Sequence, residues 1–167
     1  MRSLILLTFW CCFLQGATAV VECIADAGFA KGSGKEKQLP LTGVVMRFRV
    51  EAIRGWKVSR AQLHLHTSAG SVPANVEIAV ANVLWQEEDV TQIPEKKLQF
   101  LKKKTESLPE GWWKLDIEPS LIEMLASGRA TVLVIRDRTS AGASRSIDSR
   151  EKNFSAGYLL VDGSPVP

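Results

Sequence analysis

The chain has 167 residues, 46% of them hydrophobic, and a formal net charge of +3. That length is about one domain with a sizeable core, and the slight positive balance is too weak to argue for nucleic acid. Three cysteines are too few for a disulfide framework of the kind that staples small secreted domains.

The N-terminus reads Met1-Arg2-Ser3, then an apolar run from Leu4 to Leu14, then Ala17-Thr18-Ala19. A basic start, a short apolar stretch and an A-x-A site describe a secretory signal peptide. The spacing predicts cleavage after Ala19, giving a signal over residues 1–19 and one domain over 20–167. An uncleaved anchor is the rival reading, although the run is short for a bilayer. A lipidation signal fits worse, because Thr8-Phe9-Trp10 precedes Cys11 in place of small residues. Cleavage removes Cys11 and Cys12 and leaves Cys23 as a lone, buried apolar residue. No second run of spanning length follows, so no integral membrane segment is expected after cleavage.

The predicted strands follow in chain order. Met46, Phe48 and Val50 alternate with Arg47 and Arg49, the period of a half-buried strand. Leu63 and Leu65 alternate with His64 and His66, and Val76, Ile78 and Val80 with Glu77, Ala79 and Ala81. Lys96, Lys97, Lys102, Lys103 and Lys104 surround Leu98, Phe100 and Leu101, as in an exposed edge strand guarded by charge. Trp113, Leu115 and Ile117 share one face, opposite Trp112, Lys114 and Asp116. Pro119 suits the first turn of a helix, Leu121, Ile122 and Leu125 carry helical spacing, and Gly128 is a stop signal. A continuous apolar run from Thr131 to Ile135 then reads as a deeply buried strand, and Tyr158 to Val161 as the last one. Polar and glycine clusters punctuate the chain at 32–34, 68–73 and 140–144. The expected fold class is all-β, a jelly-roll-like β-sandwich with one short helix.

The order of these motifs resembles the DNRLRE-type modules, also described as family-96 carbohydrate-binding modules. The resemblance rests on Ala25-Asp26-Ala27, on Met46-Arg47-Phe48-Arg49, and on Val58, Ala61, Leu63 and Leu65. It continues through Trp85, Glu87, Val90, Thr91 and Pro94, then Gly111-Trp112 and Asp116-Ile117, and ends on Ile135-Arg136-Asp137 and Ser149-Arg150-Glu151. It covers Cys23 to Asp162. The segment from Lys31 to Gly43 is shorter than the family's, and Arg49 replaces a usual acidic residue. The resemblance implies a β-sandwich that binds polysaccharide, including acidic polymers such as alginate, through Lys and Arg side chains.

A uronate polymer repeats a carboxylate along its length, which Arg matches with a planar fork and Lys with a mobile point charge. Lys31, Lys35 and Lys37, with Arg47 and Arg49 on the following strand, form a candidate basic stripe; solvated surface is the alternative reading. Trp56, after Gly55 at a turn, is the candidate aromatic platform, against plain packing. Arg47, Arg136 and Arg150 sit beside apolar strand residues, with Asp137 and Glu151 adjacent, and read as structural ion pairs. His64 and His66 share a strand face but lack a third metal ligand, so exposed sheet residues are the better reading. Asn153-Phe154-Ser155 fits a glycosylation sequon.

No spacing selects a catalytic carboxylate pair, nucleophile or phosphate loop, so no enzyme activity and no cofactor are expected. The reading is a secreted, noncatalytic module for polysaccharide. A structural or adhesion module of the cell surface or matrix, meeting protein, is the alternative, and a small polysaccharide-active enzyme a third.

Overall fold

A computed structural model describes residues 16–28, 37–68, 71–83, 98–139, 145–149 and 157–166. Eleven strands and one α-helix are described: β1 Ala17–Gly28, β2 Gln38–Pro40, β3 Val44–Phe48, β4 Trp56–His66, β5 Asn75–Ala81, β6 Leu101–Lys104, β7 Glu106–Ser107, β8 Trp112–Ile117, α1 Pro119–Ala126, β9 Val132–Arg136, β10 Ser146–Asp148 and β11 Tyr158–Pro165. The strand order is β6-β5-β9-β3-β1-β11-β4-β8-β7, antiparallel at every step, with β10-β2 as a separate small ladder. The fold is all-β, a sandwich nearly closed into a barrel, as expected.

Two strands turn the corners between its faces. The first half of β1 pairs with β11 and the second half with β3, and the register shifts between Cys23 and Ala25. Ile24 is therefore an extra residue, and a bulge of this kind bends a strand and flips the faces of everything after it. Val21 and Cys23 point into the main core before it, while Ala27 packs on the outer side after it. At the other margin the strand order ends on β6 and β7, which are consecutive in the chain. Thr105 joins them, its N–H donating to the Ala74 carbonyl at 3.2 Å. The Lys103 ammonium, paired with Glu118 ahead of α1, ties this corner to the opposite sheet. The lysine-rich strand is exposed as expected, with Leu101 39% accessible.

Side-chain alternation places the core between the faces. Met46, Leu63, Leu65, Ile78, Trp113, Leu115 and Ile135 are all at 2% exposure or less. Helix α1 covers one end through Ile122 and Leu125. Its end matches its sequence signals: the Ser127 N–H donates to the Glu123 carbonyl, and Gly128 takes the left-handed conformation at φ 74°. β9 is buried on both faces, because Val132 and Val134 pack outward with Ala27, Val45 and Ala81 beneath Leu98 and Phe100.

Among the described residues, no helix is long and apolar enough to cross a membrane. Residues 1–15 of the expected signal peptide lie outside the described residues, as do Trp85, Arg150, Glu151 and the Asn153 sequon. Cleavage after Ala19 would remove three residues of β1 and leave Val20 opposite Leu160 as its first.

Candidate ligand-binding surfaces

The residues singled out from sequence do not form one stripe. Lys31 and Lys35 lie outside the described residues. Lys37 is exposed just before β2, where its carbonyl accepts from the Ser149 N–H at 3.0 Å. Arg47 projects outward from β3, and Arg49 reaches Glu22 at 3.3 Å in an exposed ion pair. Such a pair contributes little to stability and partly neutralises Arg49. Trp56 is half-buried at the start of β4, opposite Pro165, and packs against the main core.

A different set of cations does converge. On the outer side of the β6-β5-β9 sheet, a cleft of about 510 Å³ is lined by Asn75, Lys102, Arg138, Thr139 and Arg145. Two partly buried ion pairs adjoin it, one through Glu77 and the other through Asp137 and Arg145. Arg136 donates from Nε to Glu77 at 2.7 Å, and its guanidinium carbon lies 3.4 Å from the centre of the Phe100 ring. The pairing partner expected beside it in sequence, Asp137, instead accepts from Arg145 Nη1 at 2.7 Å and from the Thr139 N–H at 2.8 Å. Adjacent residues on a strand point to opposite faces, so Arg136 and Asp137 cannot pair with each other. Burial alone would push the Asp137 carboxyl up, but the hydrogen bonds from Thr139 and Arg145 and the Arg145 charge outweigh it and hold its pKa below the usual carboxylate range.

With Glu77 and Asp137 thus matched, Lys102 and Arg138 are the cations of the cleft that make no ion pair among the described residues. Lys102 was visible as part of a lysine run. Arg138 and Arg145 carried no sequence signal, because their convergence depends on β9 ending beside the strand that begins at Asn75.

The outer side of the opposite sheet is aromatic. His64 on β4 stacks on its cross-strand neighbour Tyr158 at 4.7 Å and 10°. Trp112 on β8 meets Tyr158 at 5.6 Å and His66 edge-on at 5.2 Å. The expectation that both histidines are exposed is corrected here: His64 is 9% exposed, and its Nε2 is buried without a hydrogen-bond partner. The Tyr158 ring covers it. Burial, and then the nearby Lys114 charge, hold its pKa below the usual histidine value, so it is neutral at pH 7.

That depression has a stability consequence. The unfolded chain takes up a proton at His64 more readily than the fold does, so this contribution is present above about pH 6.5 and lost on acidification. His64→Phe keeps the stack and removes the titration. Its melting temperature should fall less than wild type between about pH 7.5 and about pH 5; parallel slopes would show that His64 does not sit neutral under this ring.

His66 is held differently. Its Nδ1 donates to Asp148 Oδ2 at 2.6 Å, and its Nε2 lies 2.8 Å from the Glu110 carbonyl. Asp148, 1% exposed, also accepts from the Ser68 hydroxyl at 2.8 Å and from the Gln38 amide at 3.4 Å. The turn that His66 grips is special: Glu110 has φ 59° and Gly111 φ 79°. A Cβ on Gly111 would stand 2.4 Å from the Thr67 carbonyl, so only glycine fits there. No group of three or more potential metal ligands occurs among the described residues.

No family model matches the chain, and no curated protein matches it.

Proposed function

We propose that the protein is a secreted, noncatalytic module that binds acidic polysaccharide of the alginate type outside the cell, with the cleft between β5, β6 and the end of β9 as its binding site. The observation that carries this reading is the pair of cations that make no ion pair among the described residues, Lys102 and Arg138, beside an Arg145 already oriented by Asp137. A guanidinium fixed by one carboxylate still has donors free for a second, and little entropy remains to be lost on binding. The β-sandwich and the motif order shared with the DNRLRE-type modules support the same reading. It moves the emphasis from the Lys31–Trp56 set to the other end of the chain, because Arg49 is engaged with Glu22 and Trp56 is occupied with the core.

Retention on immobilised alginate tests it. The wild-type domain should be retained at low salt and released as the Debye length shortens toward about 8 Å at physiological ionic strength. The Lys102→Ala/Arg138→Ala double variant should bind about tenfold or more weakly while melting at the wild-type temperature. Equal retention of the two proteins would overturn the site, and no retention of either would overturn the ligand. N-terminal sequencing of exported protein should read Val20 first.

A further inference from the structure

We infer that the outer face of the β1-β11-β4-β8-β7 sheet carries a second glycan site, which takes a neutral pyranose and lies around the β6–β7 corner from the cationic cleft. Lys114, cross-strand from His64 and two residues along β8 from Trp112, leads from the aromatic cluster to a depression of about 390 Å³ lined by Gln62, Lys104, Glu106, Lys114 and Asp116. Gln62 is 8% exposed, and its amide nitrogen donates to Asp116 Oδ1 at 2.9 Å. That bond fixes both planar groups and leaves Gln62 Oε1 and Asp116 Oδ2 unbonded among the described residues. Lys114, 3.3 Å from Glu106, is half-buried beside them.

Carboxylate, amide and ammonium groups held side by side suit the paired donors and acceptors of a sugar diol. The charges decide the class of sugar. Lys104 and Lys114 are matched by Glu106 and Asp116, so this depression has no excess cation to favour a uronate. An acidic ligand would meet two carboxylates, while a neutral one meets an acceptor and a donor for each hydroxyl.

The aromatic flank supplies the other half of pyranose recognition. Trp112 precedes Lys114 by two residues on β8 and so shares its face. Trp112 and Tyr158 are half-buried and touch each other, with Tyr158 stacked on His64, so the rings are held before any ligand arrives. A rigid aromatic surface beside fixed polar groups is the usual composition of a small-ligand site. His66, held by Asp148 and the Glu110 carbonyl, braces the Trp112 edge.

This inference does not depend on the acidic-polymer reading, since the two sites share no residue. The test is an NMR titration of the whole domain with a β-1,4-linked glucose hexamer and, separately, with a mannose hexamer. At least one should shift the Trp112 indole resonance. Trp112→Ala and Asp116→Ala should each weaken that binding about tenfold, and Lys102→Ala/Arg138→Ala should leave it unchanged. Asp116 is exposed, so its variant folds even if Trp112→Ala does not. The inference is overturned by no shift at about 10 mM of either sugar, by binding that survives Asp116→Ala, or by an alginate hexamer that shifts Trp112 as strongly. Loss of alginate retention in the cleft variant alone, with Trp112 still responding, separates this site from the other.

Discussion

Trp113→Ala is expected to cost about 3–5 kcal/mol of folding stability. The side chain is fully buried near the start of β8, opposite Leu65 on β4 and Ser107 on β7. The ladder partners on both sides are strand residues of fixed register, so the space would refill only in part. A domain of this size has about 5–15 kcal/mol in total, so this single change takes a large share of it. Trp113→Phe should cost much less. It keeps most of the apolar volume and removes the indole N–H, which is buried without an acceptor and by itself costs about 1–3 kcal/mol. Urea unfolding of the two variants checks the contrast. Equal losses would mean that the ring volume is not what holds the centre of the sandwich together.

The Trp112–Trp113 pair shows what could be read from sequence and what could not. Parity along β8 assigns Trp113 to the core and Trp112 to the outside, and the structure agrees. The same period-two reading holds at Met46 and Phe48 and at Leu63 and Leu65, and α1 ends just before the Gly128 stop. These are local regularities, and a sandwich with one dominant core rewards them.

The failures share a different cause. His64 lies on the polar-looking face of β4, yet Tyr158, nearly a hundred residues later in the sequence, arrives on β11 to cover it. Arg136 and Asp137 were expected to be structural, and they are, but with Glu77 and Arg145 as partners. The two corner strands also escape periodicity, since one is made by a single extra residue at Ile24 and the other by Thr105 passing between sheets. Register and long-range pairing decide all of these. The cationic cleft belongs in the same class, which is why a run of lysines was legible and the arginines that complete the site were not.

The second large effect is expected at Asp148. Its carboxylate joins three segments: β4 through His66, the following turn through Ser68, and β2 through Gln38. Asp148→Ala should cost about 3–5 kcal/mol, because it takes the acceptor from three donors at once, at about 1–3 kcal/mol for each buried group left unsatisfied. The damage should be local in its pattern. The β2–β10 ladder covers the core with Leu39 and Ile147, both fully buried, and it spans only three residue pairs, too few to hold without this anchor. Amide hydrogen exchange should therefore accelerate at Leu39 and Ile147 well before the β4–β11 ladder responds. Asp148→Asn should lie between wild type and alanine, since it keeps one acceptor and the shape but gives up the charge. A double-mutant cycle with His66→Ala isolates the pair, and a coupling below about 0.5 kcal/mol would show that Asp148 acts through Ser68 and Gln38 instead. In that case the Glu110–Gly111 turn, and with it the brace on Trp112, is held by backbone geometry alone.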